Sequence, residues 1–377
     1  MALGRLGAGL SDRRPREPLP DALRALALIG VLVVNGLGYQ DVPYGRLLGQ
    51  ARPADSAWAQ ALMAMVAAFV QGKAYPVLAL LFGMGMAYAA RGLSAVAAIR
   101  GAQRRAGRLL LIGVLHGTLL YYGDILTSYA LCALWITPQV REPWSLLRPR
   151  LRRALGWALA AVAASAALVL MPKIDEGTRI SEATIGTVSG YAAFVSLNAN
   201  TYAIAQLFGL MLTLPLVRLT MLAGIAAVRL RCLTHRRWRH QLDRLLRHWS
   251  WPVVIANLAY AVAYVGSPSS AIALALQSSS PLWATPLALL YVAVAARAWR
   301  DGARGWAMRL AVLGQHTLSV YVGASLLMVV LFSGAGLGWQ PSTAGWLLLA
   351  LGLWLLAWAA SALWRGRWPL EAWMARR

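Results

Sequence analysis

One ionisable residue stands by itself in the middle of a long apolar run. It is His116, in Arg108-Leu-Leu-Leu-Ile-Gly-Val-Leu-His116-Gly-Thr-Leu-Leu-Tyr-Tyr-Gly-Asp124. An imidazole exchanges a proton near pH 7, which makes His116 a candidate general base. It reads equally as a core histidine bonded to a hydroxyl or a backbone carbonyl. Asp124 is the candidate orienting carboxylate, although eight residues of continuous helix would hold the two about 12 Å apart. Asp124 is also of the right type to cap a following helix. Folding back through Gly123-Asp124 brings Ser128, Tyr129 and Cys132 toward the level of His116.

A second group lies on the first apolar helix. Asp21 and Arg24 are spaced i,i+3 on one face at its charged end. Asn35 follows eleven residues later, about three turns along and on nearly the same face, where it would hydrogen-bond a ligand or a neighbouring helix. Arg104, Arg105 and Arg108 cluster at the charged end of the run that holds His116. Weaker candidates are His316, near the inner end of another apolar run, and Glu371, which is expected to pair with an inner arginine. Phe82-Gly83-Met84-Gly85-Met86 offers small residues for close helix packing rather than chemistry.

The elements that position these residues follow from composition. Of 377 residues, 59% are hydrophobic and only 13% charged, with a mean hydropathy of +0.57. Soluble domains carry about a quarter charged residues. The net charge of +23 would suggest nucleic acid in a soluble protein, but here it accompanies membrane-length apolar runs. Two distant cysteines make no disulfide framework or zinc knuckle, and five histidines show no paired ligand spacing, so no metal site is expected. No phosphate loop or GxGxxG element is present. These features predict an all-α, polytopic integral membrane helical bundle that binds no nucleic acid.

Ten spans are expected: Ala22–Tyr39, Tyr75–Ala90, Leu109–Tyr122, Ile125–Thr137, Leu151–Met171, Thr201–Leu222, Trp251–Gly266, Leu282–Trp299, Arg309–Phe332 and Ala344–Leu363. The stretch 57–71 is apolar but short, and reads as a re-entrant or interfacial helix. This arrangement puts 31 of the 36 basic residues on one side, as the positive-inside rule requires of the cytoplasmic face. Both termini are then cytoplasmic: a tail over 1–20, one transmembrane domain over 21–364, and a second tail over 365–377. The basic loop Arg229–His248 would lie as an amphipathic helix on the anionic inner leaflet, in contact with membrane lipids. The first apolar helix is read as retained, not as a removed signal.

The order of motifs resembles the YeiB-like family of bacterial inner-membrane proteins, which carry an uncharacterised domain. The resemblance rests on Asp21-Ala-Leu-Arg24-Ala25…Asn35 and on Lys73-Ala-Tyr-Pro-Val-Leu-Ala-Leu-Leu-Phe82-Gly83. It extends through Arg105…Arg108-Leu-Leu…Gly113…His116…Gly123-Asp124-Ile-Leu-Thr127…Tyr129 and ends on Trp368-Pro369-Leu370-Glu371-Ala-Trp373. The family is similar, at a distance, to transmembrane acyltransferases that move acyl groups from cytoplasmic acyl-CoA to extracytoplasmic sugars. In the type-three acyltransferases an Arg on the first helix is followed eleven residues later by a His. Here that position is Asn35, so either His116 has taken over as base or the activity differs.

The resemblance implies an acyltransferase with acyl-CoA as co-substrate and no metal. Arg24, Arg104, Arg105 and Arg108 would hold the donor phosphates, and His116 would deprotonate a sugar or lipid-linked acceptor. Asn35 would stabilise the oxyanion or orient the histidine, and Asp124 would orient it. The other expectation is a transporter or flippase of a small polar or lipid-linked solute, with Gln71-Gly72-Lys73…Pro76 as a midplane helix break. A structural partner in a membrane complex, as an oligomer, is the third.

Overall fold

The computed structural model describes residues 17–40, 56–170, 188–233, 235–266, 279–364 and 366–376. Most of the expected N-terminal tail, including Arg5, Arg13, Arg14 and Arg16, lies outside them, as does the expected outer loop with Lys173 and Arg179. Among the described residues the fold is all helix. In chain order the helices are α1 (Pro18–Gln40), α2 (Ala57–Phe69), α3 (Ala74–Ala89), α4 (Ala95–Leu119) and α5 (Leu126–Ile136). Next come α6 (Trp144–Leu170), α7 (Tyr191–Leu212), α8 (Leu214–Leu230), α9 (Arg239–Gly266) and α10 (Ser280–Arg300). The last four are α11 (Gly305–Gly314), α12 (Thr317–Phe332), α13 (Thr343–Leu363) and the short α14 (Pro369–Ala375).

Among the described residues, five stretches are long and apolar enough to cross a membrane, and two bent helix pairs raise the number to seven. The outward surfaces agree, since Leu348, Leu356 and Val262 are each about 70% exposed at 70%, 68% and 68%. Apolar surface of that extent is stable against lipid tails, not against water. The seven fall short of the ten expected spans for local reasons. α5 is only 11 residues long, and α4 carries Arg100, Arg104, Arg105 and Arg108 along its first half. The expected Leu151–Met171 ends outside the described residues.

Breaks reshape the rest. The expected span Thr201–Leu222 is two helices bent by 60° at Thr213, because Pro215 has no N–H to continue the ladder and instead opens α8. Arg309–Phe332 is likewise two helices, α11 and α12, bent by 60° at Gln315-His316. The stretch expected to be re-entrant or interfacial is α2. It runs into α3 through a break at Val70–Lys73 where Gly72 takes φ +77°, and the pair forms one 33-residue span candidate. Arg231 ends α8 in the left-handed region, and Arg239–His248 forms the first turns of α9 rather than a separate surface helix.

α1 is the central post, packed against α3, α11, α12 and α13. α13 clamps it through two indole N–H donors, Trp346 to the Val33 carbonyl at 2.9 Å and Trp354 to the Ala25 carbonyl at 2.7 Å. On its other side α3 meets α8 at backbone distance. A Cβ on Gly83 would overlap the Met221 carbonyl, and one on Gly224 would overlap the Leu80 carbonyl. The expected packing role of Gly83 is therefore met reciprocally from α8, and the two helices fix the wall beside α1.

Candidate functional site

α4 ends at Leu119, only three residues beyond His116, and this short remainder decides the geometry of the site. The Leu120 and Tyr121 N–H groups both donate to the His116 carbonyl, which closes the helix and turns the chain back. Asp124 therefore returns to the level of His116, and the separation expected from a continuous helix does not apply. His116 Nδ1 lies 2.9 Å from Asp124 Oδ1. Gly113 makes this return possible, since a Cβ there would press on the Thr127 N–H and hydroxyl and on Asp124 Oδ2.

Asp124 makes two contacts at once. Its second oxygen accepts the Thr127 N–H at 2.8 Å, at the first turn of α5, while its first oxygen holds the imidazole. A third donor, the Tyr321 hydroxyl, approaches Oδ1 at 3.5 Å, the outer limit of a hydrogen bond. A carboxylate accepts only, so Nδ1 carries the ring proton and Nε2 is left as the acceptor. Nε2 is taken by the Ser325 hydroxyl at 2.9 Å. His116, Asp124 and Ser325 are 2%, 4% and 1% exposed, so the whole hydrogen-bonded row is shielded from solvent.

Neighbouring helices lock this row in place. Tyr321, one turn before Ser325 on α12, lies with its ring 4.6 Å from the imidazole. Tyr39 donates to the Leu120 carbonyl at 2.6 Å and to the Ser325 carbonyl at 3.3 Å, joining α1, the turn after α4, and α12. From α7, Asn198 donates to the carbonyls of Gly117 and Thr118, and Gln206 donates to the Asp124 carbonyl. Buried polar atoms inside a membrane are costly unless paired in this way.

Two voids approach the row. The larger, about 1980 Å³, is lined by seven arginines, among them Arg24, Arg91, Arg105, Arg141 and Arg229, against the three carboxylates Glu17, Asp21 and Glu371. Its wall on α1 runs from Asp21 to Val31, about 15 Å of helix, and its inner end is apolar and aromatic at Val31, Leu78 and Tyr321. The smaller, about 250 Å³, is lined by Asn35, Tyr75, Tyr121 and Tyr122. Val31 and Ile125 belong to both walls. His116, Asp124 and Ser325 line neither void, but Tyr321 lines one and Asn35 the other.

The expected phosphate-binding arginines divide. Arg24 and Arg105 line the large cavity, Arg24 being paired with Asp21 and donating to the Leu81 carbonyl at 3.1 Å. Arg104 is exposed and lies outside the lining. Arg108 turns away and donates to the carbonyls of Trp373, Met374 and Arg376, closing the end of α14. In their place the fold supplies Arg91, Arg141 and Arg229, which sequence reading passed over as topological charge. The Arg141 and Arg229 guanidiniums are held by the carbonyls of Ala90 and Val140, which orient them without cancelling their charge. Arg229 also feels the like charges of Arg141 and Arg91.

Two weaker candidates are structural. Glu371 pairs with a helix start rather than with an arginine, accepting the N–H groups of Leu318 and Ser319 at 2.9 and 3.0 Å. It thereby anchors the α12 N-terminus, where a carboxylate is favoured. His316 precedes that helix, stacks on Trp368 and lies 3.1 Å from the Gly366 carbonyl. No group of three His, Cys, Asp or Glu side chains able to hold a metal occurs among the described residues.

Residues 227–374 match the model of a family described as a protein of unknown function (DUF418). That match takes in Tyr321, Ser325 and Glu371 and stops short of His116 and Asp124. The chain is also similar to the uncharacterized protein YxaH of Bacillus subtilis (strain 168), with 34% identity over 122 residues. The alignment covers 29% of each chain, so it spans under a third of the relative's length. The chain is a multi-pass helical membrane protein whose C-terminal part, from the last turn of α8 onward, is similar to the DUF418 family.

Proposed function

We propose that this protein is a membrane-embedded acyltransferase that takes an acyl-CoA-type donor from the cytoplasmic face and passes the acyl group to an extracytoplasmic or lipid-linked acceptor. The observation that carries the reading is the large cavity, arginine-lined at one end and apolar at the other, which ends at Tyr321 against the His116 row. Drug-sized ligands occupy about 300–1,000 Å³, so a cavity of 1980 Å³ suits a cofactor-sized one. Arg229 is partly desolvated and close to the like charges of Arg141 and Arg91, and an anionic head group would relieve both through charge-assisted hydrogen bonds. The apolar inner end suits the acyl portion. By the positive-inside rule the arginine-rich end faces the cytoplasm of a bacterial inner membrane.

His116 is the proton acceptor of the transfer, held in one tautomer by Asp124. Asn35, in the wall of the smaller void, is a donor for the developing oxyanion and faces the side from which an acceptor enters. The test is release of free coenzyme A from acetyl-CoA and octanoyl-CoA by protein in nanodiscs, with and without sugar and lipid-linked acceptors. Turnover that falls at least about 10²-fold in His116→Gln supports the reading, and equal turnover overturns it.

One feature favours a second reading, a transporter of a small polar or lipid-linked solute. Helix breaks at Val70–Lys73 and Gln315-His316 flank the zone where the two voids share Val31 and Ile125. Solute uptake into proteoliposomes without thioester cleavage would favour it.

A further inference from the structure

We propose that Ser325 carries the acyl group, accepting it from the donor as an ester before the acceptor takes it. The inference rests on the acyltransferase reading and adds a covalent intermediate to it. Its first support is that His116 has no free ring nitrogen. Nδ1 is committed to Asp124 and Nε2 to the Ser325 hydroxyl, each at 2.9 Å, so the proton His116 is placed to receive first is that of Ser325. A serine hydroxyl, an imidazole and a carboxylate joined in this order make an activated nucleophile wherever the fold assembles them.

The second support is what Ser325 does not do. Several buried hydroxyls of this protein bond back to the carbonyl four residues earlier. Ser333 does so to Val329 at 2.6 Å, Thr220 to Leu216 at 2.9 Å, and Thr201 to Leu197 at 2.8 Å, whereas Thr127 and Ser128 on α5 bond across to Tyr202 and Gln206 of α7. The local bond is one way for a serine or threonine in an apolar helix to satisfy its hydroxyl. The Ser325 hydroxyl forgoes it and points across to α4, 209 residues away in sequence. The third support is position. Tyr321 precedes Ser325 by one turn on α12 and both lines the arginine-lined cavity and packs on His116. A swing of the Tyr321 ring opens Ser325 to the acyl end of that cavity.

The chemistry balances without any further reactant. Ser325 Oγ attacks the thioester carbonyl carbon as its proton passes to His116 Nε2. The C–S bond breaks, and the departing thiolate takes that proton and leaves as a thiol. An acceptor hydroxyl or amine then attacks the Ser325 ester, giving its proton to His116 Nε2, which returns it to Ser325 Oγ as the ester bond breaks. Asp124 stabilises the imidazolium in both halves.

The experiment incubates purified protein in nanodiscs with acetyl-CoA and no acceptor, quenches it in acid and maps the adduct by peptide mass spectrometry. The expected result is an acetyl group on the Ser325 peptide that hydroxylamine removes. It should be absent from Ser325→Ala and from His116→Gln, with steady-state thioester turnover down on the order of 10⁶-fold in each. Ser325→Cys keeps a nucleophile and should form a thioester adduct at the same position, which separates loss of chemistry from loss of folding. Turnover by the wild-type protein with no adduct, and with Ser325→Ala unimpaired, overturns the inference while leaving the acyltransferase reading standing. No thioester cleavage by the wild-type protein with either donor and any acceptor class overturns that reading, and the inference with it.

Discussion

Replacing Asp124 by Asn separates chemistry from architecture at this site. Asp124 accepts from the Thr127 N–H at 2.8 Å, from His116 Nδ1 at 2.9 Å and from the Tyr321 hydroxyl at 3.5 Å. An amide offers one accepting oxygen and one donating nitrogen in the same volume. The Thr127 N–H can only donate, so the oxygen stays with it and the NH₂ faces the imidazole. His116 must then move its proton to Nε2, which can no longer accept from Ser325. Turnover should fall about 10⁴-fold, the cost of the wrong tautomer when such an Asp becomes Asn. Stability should fall by only about 1–2 kcal/mol, because a charge-assisted hydrogen bond is weakened while the Thr127 N–H keeps its acceptor. Asp124→Ala instead orphans the Thr127 N–H and the His116 Nδ1–H, at about 1–3 kcal/mol each. Coenzyme A release and thermal unfolding, measured on both variants in nanodiscs, give the comparison. Normal turnover by Asp124→Asn would refute the reasoning, as would activity losses in the two variants that merely track their stability losses.

The wall of the cavity is testable through its charges. Arg141→Ala and Arg229→Ala should each raise the KM for acetyl-CoA about tenfold, as loss of a charged hydrogen bond predicts, with kcat little changed and the effect shrinking at high salt. At the start of α12, Glu371→Gln weakens the bonds to the Leu318 and Ser319 N–H groups. A loss of about 1 kcal/mol should appear in thermal unfolding, with lower turnover because α12 carries Tyr321 and Ser325. Gly83→Val and Gly224→Val each drive a side chain into a facing carbonyl, so α3 and α8 must separate. Both should lose about 1–3 kcal/mol and give less folded protein by size-exclusion chromatography.

Much of the fold is legible because hydropathy and charge report directly on a bilayer. The membrane class, α1, α10 and α13 follow from apolar length alone. Helix breaks are less visible, since Thr201–Leu222 and Arg309–Phe332 are mostly apolar and their bends are local. Pro215 signals one bend. The other depends on Glu371, which stabilises a fresh helix start from 52 residues away. In the site, His116 and Asn35 stand out because polar groups in apolar helices are expensive. Contact between His116 and Asp124 is hidden by the exact end of α4, a boundary that periodicity does not fix. Ser325 carries no local signal, since serine is ordinary in membrane helices and its partner lies on another helix. The cavity arginines are masked by the same excess that reveals topology. Arg141 and Arg229 look like any inner-loop charge until folding turns them onto one void with Arg91.

The most direct test of the account is the structure of the protein bound to a non-hydrolysable acyl-CoA analogue, determined by electron cryomicroscopy in nanodiscs. The account predicts the analogue's phosphates among Arg91, Arg141 and Arg229, with its acyl end at Tyr321, beside Ser325 and His116. An analogue bound outside the large cavity, or with its acyl end directed away from Tyr321, would contradict it.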